Sequence, residues 1–223
     1  MADPDSVNQL VQDTVAAYGR LDYMFNNAGI AVTADARDLR LEHWHQVIAV
    51  NLLGVIYGVH AAYPIMVQQG YGHIVNTASL AGLLPYPTNL PYTTTKHAVV
   101  GLSLSLRVEA ADLGVKVSVV CPGWVQSGMS AASPILNVRR EQAQSSLPFK
   151  SMETDTAARR ILAGVARNQA VIVFPLYARV LWWVYRMRIT WLNPLGFKLI
   201  RDFRRLRVPT AAEPNHEQGP VKE

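Results

Sequence analysis

A single cysteine, Cys121, stands in 223 residues. It excludes an intramolecular disulfide and any cysteine-built metal cluster, and it fits a reducing compartment, so a cytoplasmic setting is expected. The opening stretch MADPDSVNQLVQDTVAAYGR has several charges and no continuous apolar run, and does not read as a secretory signal. His43 and His45 stand two apart and diverge on a helix, so no metal site is predicted. Acidic residues are scarce in one region above all. From Arg179 to Arg207 eight basic residues face Asp202 alone, so this stretch carries +7 and leaves −2 for the rest of a chain whose net charge is +5. Basic charge confined to one aromatic-rich segment, with no recognised binding motif, argues against a nucleic-acid role.

What is present is enough for one sizeable core, since 50% of the residues are hydrophobic. Pro4 to Tyr18 places Val7, Leu10, Val11, Thr14 and Val15 at helical spacing, and Gly19 supplies a stop. LDYMFN follows as a short buried strand. Leu39 to Gln69 reads as a long helical stretch interrupted by small residues, and HIVNTAS as the next strand. Tyr92 to Leu113 has helical composition, VKVSVVC is a β-branched strand, Glu153 to Asn168 is helical, and AVIVFP reads as a last strand. Apolar strands alternating with helices predict an α/β fold with a doubly wound, Rossmann-type parallel sheet flanked by helices on both faces. Ligands of such sheets sit beyond the C-terminal strand ends. The unusual residues fall there: NNAG at Asn26 to Gly29, Ser79 after HIVNTA, and CPGWVQS from Cys121 to Ser127.

Tyr92 and Lys96 lie one turn apart in LPYTTTKHAVVGL, so phenol and ammonium share a helix face. Taken in order, NNAG, VNLLG with Asn51, IVNTAS with Ser79, YTTTK with Tyr92 and Lys96, and CPGWVQS resemble the short-chain dehydrogenase/reductase family of NAD(P)-dependent oxidoreductases. The resemblance covers Pro4 to about Val173. It implies that Tyr92 gives or takes the hydroxyl proton of a secondary alcohol or ketone while hydride moves to or from a nicotinamide cofactor, NAD or NADP. Lys96 would favour the phenolate by its charge and hold the nicotinamide ribose. Ser79 would donate to the substrate oxygen, and Asn51 would bind a water that extends a proton relay. Asn27 and Gly29 would lie against the cofactor, with Tyr92 and Lys96 completing the contact. Val125 would meet the carboxamide through its backbone, and Ser127 stands where relatives more often carry threonine. Thr95 similarly replaces a common serine. Both substitutions keep a hydroxyl. Cys121 reads as a small buried hydrophobe, because no activating motif surrounds it. A homodimer or homotetramer is expected by resemblance alone.

The family's glycine-rich turn between first strand and first helix is not found ahead of these motifs. The fold is therefore expected to be N-terminally truncated, lacking the βαβ unit that holds the pyrophosphate and the residue that separates NAD from NADP. The preferred reading is a piece of a longer product, the other a shortened member with weak cofactor affinity. A non-catalytic scaffold or membrane-surface interaction protein derived from this family is the alternative function. The expected domains are 1–175 for the truncated Rossmann-type unit, 176–208 for a basic aromatic extension, and 209–223 for a disordered tail. The extension, rich in tryptophan and arginine, is too charged for a simple spanning helix. It suits a substrate lid, a subunit contact or a peripheral membrane contact, and it favours an apolar substrate such as a sterol, retinoid or lipid-like alcohol or ketone.

Overall fold

The computed structural model describes residues 2–145 and 151–207. The expected disordered tail, 209–223, lies outside the described residues. Helix α1 (Pro4–Tyr18) begins where the Asp3 carboxylate accepts from the backbone N–H groups of Asp5 and Ser6, and ends at Gly19 in the left-handed region. Strand β1 (Tyr23–Asn26) follows. Helix α2 (Leu41–Ile48) runs through one widened turn, Ala49–Leu53, into α3 (Gly54–Gln69). The stretch Leu41–Gln69 has the length and apolar composition of a membrane span, yet it packs on the sheet through Val55, Ala61, Ala62 and Met66.

Strand β2 (Gly72–Thr77), helix α4 (Leu90–Glu109) and strand β3 (Val115–Pro122) complete the next unit. Short helices α5 (Gly128–Ala132) and α6 (Arg140–Ser145) precede α7 (Thr154–Ala166) and strand β4 (Val171–Phe174). The basic segment then forms α8 (Leu176–Met187) and α9 (Asn193–Arg205), joined by a tight helical turn.

The four strands lie in the order β1-β2-β3-β4, all parallel. Side chains alternate across a strand, so each strand serves two layers. On one face Met24, Ile74, Val117, Val119 and Cys121 pack under α1, α3, α4 and α8. On the other, Val75, Val120, Ile172 and Phe174 pack against Ala157 and Val165 of α7.

That second face is only half covered among the described residues. Tyr23 and Phe25 of β1 project to it and remain exposed, their rings stacked at 6.1 Å, with Tyr23 also 6.0 Å from His73. The expectation of a buried strand at LDYMFN therefore holds for one face only. An apolar run records that a strand is suited to burial, while the burial itself depends on which helices reach it.

The end of α9 and the residues just after it return to the loop after β1. Arg204 Nε donates to Asp35 Oδ2 at 2.6 Å, and Arg207 Nη2 donates to Asp38 Oδ1 at 2.8 Å. Both carboxylates are buried. Burial alone would raise the Asp35 carboxyl, but hydrogen bonds from Arg204 and Arg37 outweigh it and hold the group below its ordinary value.

Candidate active site

Because all four strands run the same way, the residues that follow β1, β2 and β3 meet on one rim. Thr77, the last residue of β2, joins them. Its carbonyl accepts from Lys96 Nζ at 2.7 Å, and its hydroxyl donates to Asn27 Oδ1 at 2.9 Å. Pairing of β1 with β2 brings Asn26 and Asn76 level, and Asn26 Nδ2 donates to Asn76 Oδ1 at 2.8 Å beneath the rim. Asn76 in turn donates to Ser103 Oγ of α4 at 3.0 Å. Asn26 Oδ1 has no hydrogen-bond partner among the described residues and lies against Gly58, where a Cβ would fall 1.9 Å from it.

Lys96 is almost fully buried, and burial pulls its ammonium down from 10.5 to about 8. Its Nζ lies 5.5 Å from the centroid of the Tyr92 ring. Burial pushes the Tyr92 phenol above its ordinary value of 10, and a hydrogen bond with the Ser79 hydroxyl partly opposes it. The sequence suggests that Lys96 lowers this phenol. Here the ammonium sits over the ring face and desolvation dominates, so the net direction is upward. Ser79 caps the helical turn Leu80–Gly82, its Oγ accepting from Ala81 N–H at 3.1 Å.

Asn51 occupies the widened turn before α3, where one extra residue per turn swings a side chain out of the regular helical row. Fully buried, it clamps the backbone after NNAG from both sides: Ile30 N–H donates to its Oδ1 at 2.8 Å, and its Nδ2 donates to the Ile30 carbonyl at 2.9 Å. Nδ2 also reaches Thr95 Oγ1 at 3.3 Å. At Gly29 an added Cβ would stand 3.4 Å from both Asn51 Oδ1 and Lys96 Nζ, so this backbone lies directly against the two side chains.

Val125 and Ser127 lie on the loop after β3, one strand further along the rim. Gln126 N–H donates to the Met152 carbonyl and Met152 N–H to the Trp124 carbonyl, each at 2.9 Å, and Val125 is bridged to Met152. The Tyr177 hydroxyl of α8 accepts from Trp124 N–H at 2.7 Å. Cys121 is fully buried and its thiol is pushed up to about 12 by burial, which keeps it from acting as a thiolate.

Tyr92, Lys96 and Ser79 thus come together, with Asn51, Gly29 and Asn27 behind them, while Val125 packs into the α7-facing layer and Ser127 leads into α5 on the neighbouring loop. Thr77 and Tyr177 are rim residues that the motifs do not single out. Thr77 acts partly through a backbone carbonyl, which no side-chain pattern encodes, and Tyr177 comes from outside the motif-bearing region.

A family model described as short chain dehydrogenase matches residues 1–135. The chain belongs to the short-chain dehydrogenase/reductase family. A 2-(R)-hydroxypropyl-CoM dehydrogenase of Xanthobacter autotrophicus is 36% identical over 157 residues, 69% of this chain and 63% of the relative. A 3-oxoacyl-(acyl-carrier-protein) reductase of Staphylococcus aureus is 32% identical over 170 residues, 76% of this chain and 68% of the relative. The chain spans about half to two thirds of the length of the curated relatives it matches. Among solved structures, a short-chain dehydrogenase from Streptomyces avermitilis superposes with a TM-score of 0.75 at 22% identity, over 90% of this chain and 77% of the other. A short-chain dehydrogenase/reductase from Burkholderia phymatum, in complex with NAD, gives 0.71 at 26% identity over 96% and 77%.

Proposed function

We propose that this short-chain dehydrogenase/reductase is an oxidoreductase acting on a secondary alcohol or ketone with NAD or NADP. The observation that supports the reading best is the buried Lys96 ammonium over the Tyr92 ring, with Ser79 close enough to oppose the rise in the phenol's pKa, at the C-terminal rim of a parallel sheet. The nicotinamide end of a dinucleotide suits these residues, since Lys96 Nζ, Tyr92 and Ser79 gather polar groups at one rim. Asn27, Gly29, Tyr92, Lys96, Val125 and Ser127 would hold it. When bound, the cofactor supplies or accepts a hydride.

Tyr92 Oη moves the substrate's hydroxyl proton. Its raised pKa suits donation toward a carbonyl oxygen, and alcohol oxidation requires the phenolate that the Lys96 charge favours. Ser79 Oγ donates to the same substrate oxygen and stabilises the charge that develops there. Lys96 links this centre to the end of β2 through Thr77. Asn51 acts by positioning, because its two bonds to Ile30 fix the backbone beside Gly29.

The substrate class that suits the site is apolar, sterol-, retinoid- or lipid-like, because the aromatic-rich helix α8 adjoins the Trp124–Ser127 loop through Tyr177. Partners on this reading are that small molecule, a second copy of the chain in a homodimer or homotetramer, and a membrane surface met peripherally through 176–207. Calorimetry with NADH and NADPH tests cofactor affinity, and turnover of an apolar secondary alcohol by wild type and Tyr92→Phe tests the chemistry. Measurable affinity together with loss of turnover in the variant is expected. Affinity with undiminished turnover would remove Tyr92 from its role, and no affinity for either dinucleotide would favour a non-catalytic scaffold.

A further inference from the structure

The outer face of α8 carries an apolar stripe that the fold does not use. Leu176, Val180, Trp183 and Met187 recur at spacings of four, three and four, which places them within one narrow arc of the helix. Their exposures are 73%, 51%, 62% and 61%. The opposite arc holds Ala178 and Trp182, which pack into the core, so the outward stripe is a second hydrophobic face on a helix already satisfied by its first. Ile189 and Trp191 in the turn that follows are also exposed, at 64% and 54%, as is Phe197 of α9 at 61%. Soluble surfaces rarely keep so many large apolar side chains together without a partner.

Basic groups border the stripe. Arg179 and Arg186 lie along one flank of α8, Arg186 stacked on Trp182 at 5.2 Å, and Arg188 closes its end. Arg179 also forms one wall of an open concavity of about 260 Å³ whose other basic lining is Arg159 and Arg160 of α7 and Arg167 at its C-terminal cap. Among the described residues no carboxylate lies within ion-pair distance of these four guanidiniums. Guanidinium forks match phosphate and carboxylate oxygens bidentately.

We infer that the α8–α9 face docks on an anionic phospholipid bilayer, with Leu176, Val180, Trp183 and Met187 entering the headgroup–acyl boundary and the α7–α8 arginine concavity receiving an anionic headgroup. Tryptophan and arginine alternate here as they do where one side of a helix is apolar and the other meets charged headgroups. Charge complementarity selects a bilayer over a second copy of the chain. A symmetric pairing of two α8–α9 faces would bring together two segments that each keep +5 once Arg204 and Arg207 are matched by Asp35 and Asp38 (7 − 2), whereas an anionic leaflet attracts each. The inference refines the membrane part of the function proposed above and is independent of turnover. Vesicle binding without cofactor affinity, or the reverse, would tell the two apart.

Co-sedimentation of the full chain, without cofactor, with phosphatidylcholine vesicles lacking or containing phosphatidylserine tests it. Binding to the phosphatidylserine vesicles is expected, weakened by salt. Trp183→Glu combined with Val180→Glu should reduce it more than about tenfold, since two apolar contacts are lost. Arg160→Glu with Arg167→Glu should cost about fivefold for each charge and erase the phosphatidylserine preference. Leu10→Glu, equally exposed but on α1, should leave binding unchanged and serves as the control. Circular dichroism establishes that each variant is folded. Absence of vesicle binding, binding untouched by the stripe substitutions, or a concentration-dependent dimer that those substitutions dissolve would overturn the proposal, the last in favour of a second copy.

Discussion

Lys96 Nζ is shared between two neutral neighbours, the Thr77 carbonyl at 2.7 Å and the face of the Tyr92 ring, 5.5 Å to its centroid. Burial therefore governs its proton, and its pKa falls from 10.5 to about 8. Between these values the unfolded chain binds a proton that the folded chain does not, so stability rises with pH through that window. Lys96→Met should flatten the rise. Denaturant midpoints measured from about pH 8 to 10.5 check this, and a variant curve as steep as wild type would assign the rise to other groups.

His73 gives the corresponding effect in acid. Buried against Ser118, its Nε2 is 2.9 Å from a hydroxyl that already donates to the Gln169 carbonyl, so the imidazole is neutral and donates through Nε2. Burial, with help from Lys116 and Arg107, lowers its pKa from 6.5 to about 4. As pH falls from 6.5 to about 4 the unfolded chain gains a proton that the folded chain refuses, and stability declines. His73→Gln should keep a donor to Ser118 and remove the decline within this window, read as thermal midpoints against pH.

At Gly58 the smallest side chain is one too many. A Cβ would lie 1.9 Å from Asn26 Oδ1 and 2.9 Å from Met24 Cε, at the point where α3 crosses β1. Gly58→Ala should destabilise by about 1–3 kcal/mol through overpacking. Combined with Asn26→Ala it should cost less than the sum of the two single changes, because the same space is vacated. Additive costs in a double-mutant cycle would contradict the contact.

Arg204→Ala removes one of two guanidiniums held by the buried Asp35 carboxylate, the other being Arg37 at 3.4 Å. Since Arg204 is half exposed, about 1 kcal/mol is expected. The depressed carboxyl adds stability above its unfolded value of 3.8 that is lost as pH falls through the lower folded value. The variant should lose less stability in that acid range than wild type, as urea unfolding at several pH values would show.

Strand positions, most helices and the rim were legible in the sequence because they rest on local patterns. The apolar run of VKVSVVC forms a strand wherever it is placed, and Tyr92 and Lys96 meet because a helix turn makes them neighbours. Asn51 was legible through the VNLLG motif, though not as a clamp on Ile30, since that depends on the widened turn. The bare face of Tyr23 and Phe25 and the pairing of Asp35 with Arg204 were not legible. Each depends on where distant elements arrive, and a single charged residue among many surface charges carries no mark of the partner it will find.

The pairing of Arg204 with Asp35 and of Arg207 with Asp38 joins residues 169 apart in the chain. During synthesis the sheet's four strands all emerge before either arginine does, so the loop after β1 waits with Asp35 held by Arg37 alone and Asp38 without its arginine until α9 leaves the ribosome. Closing so long a loop is entropically slow, yet lengthening it further adds little. The clasp is accordingly a late folding event, and the two arginines should speed unfolding when removed while hardly changing how fast the strands assemble.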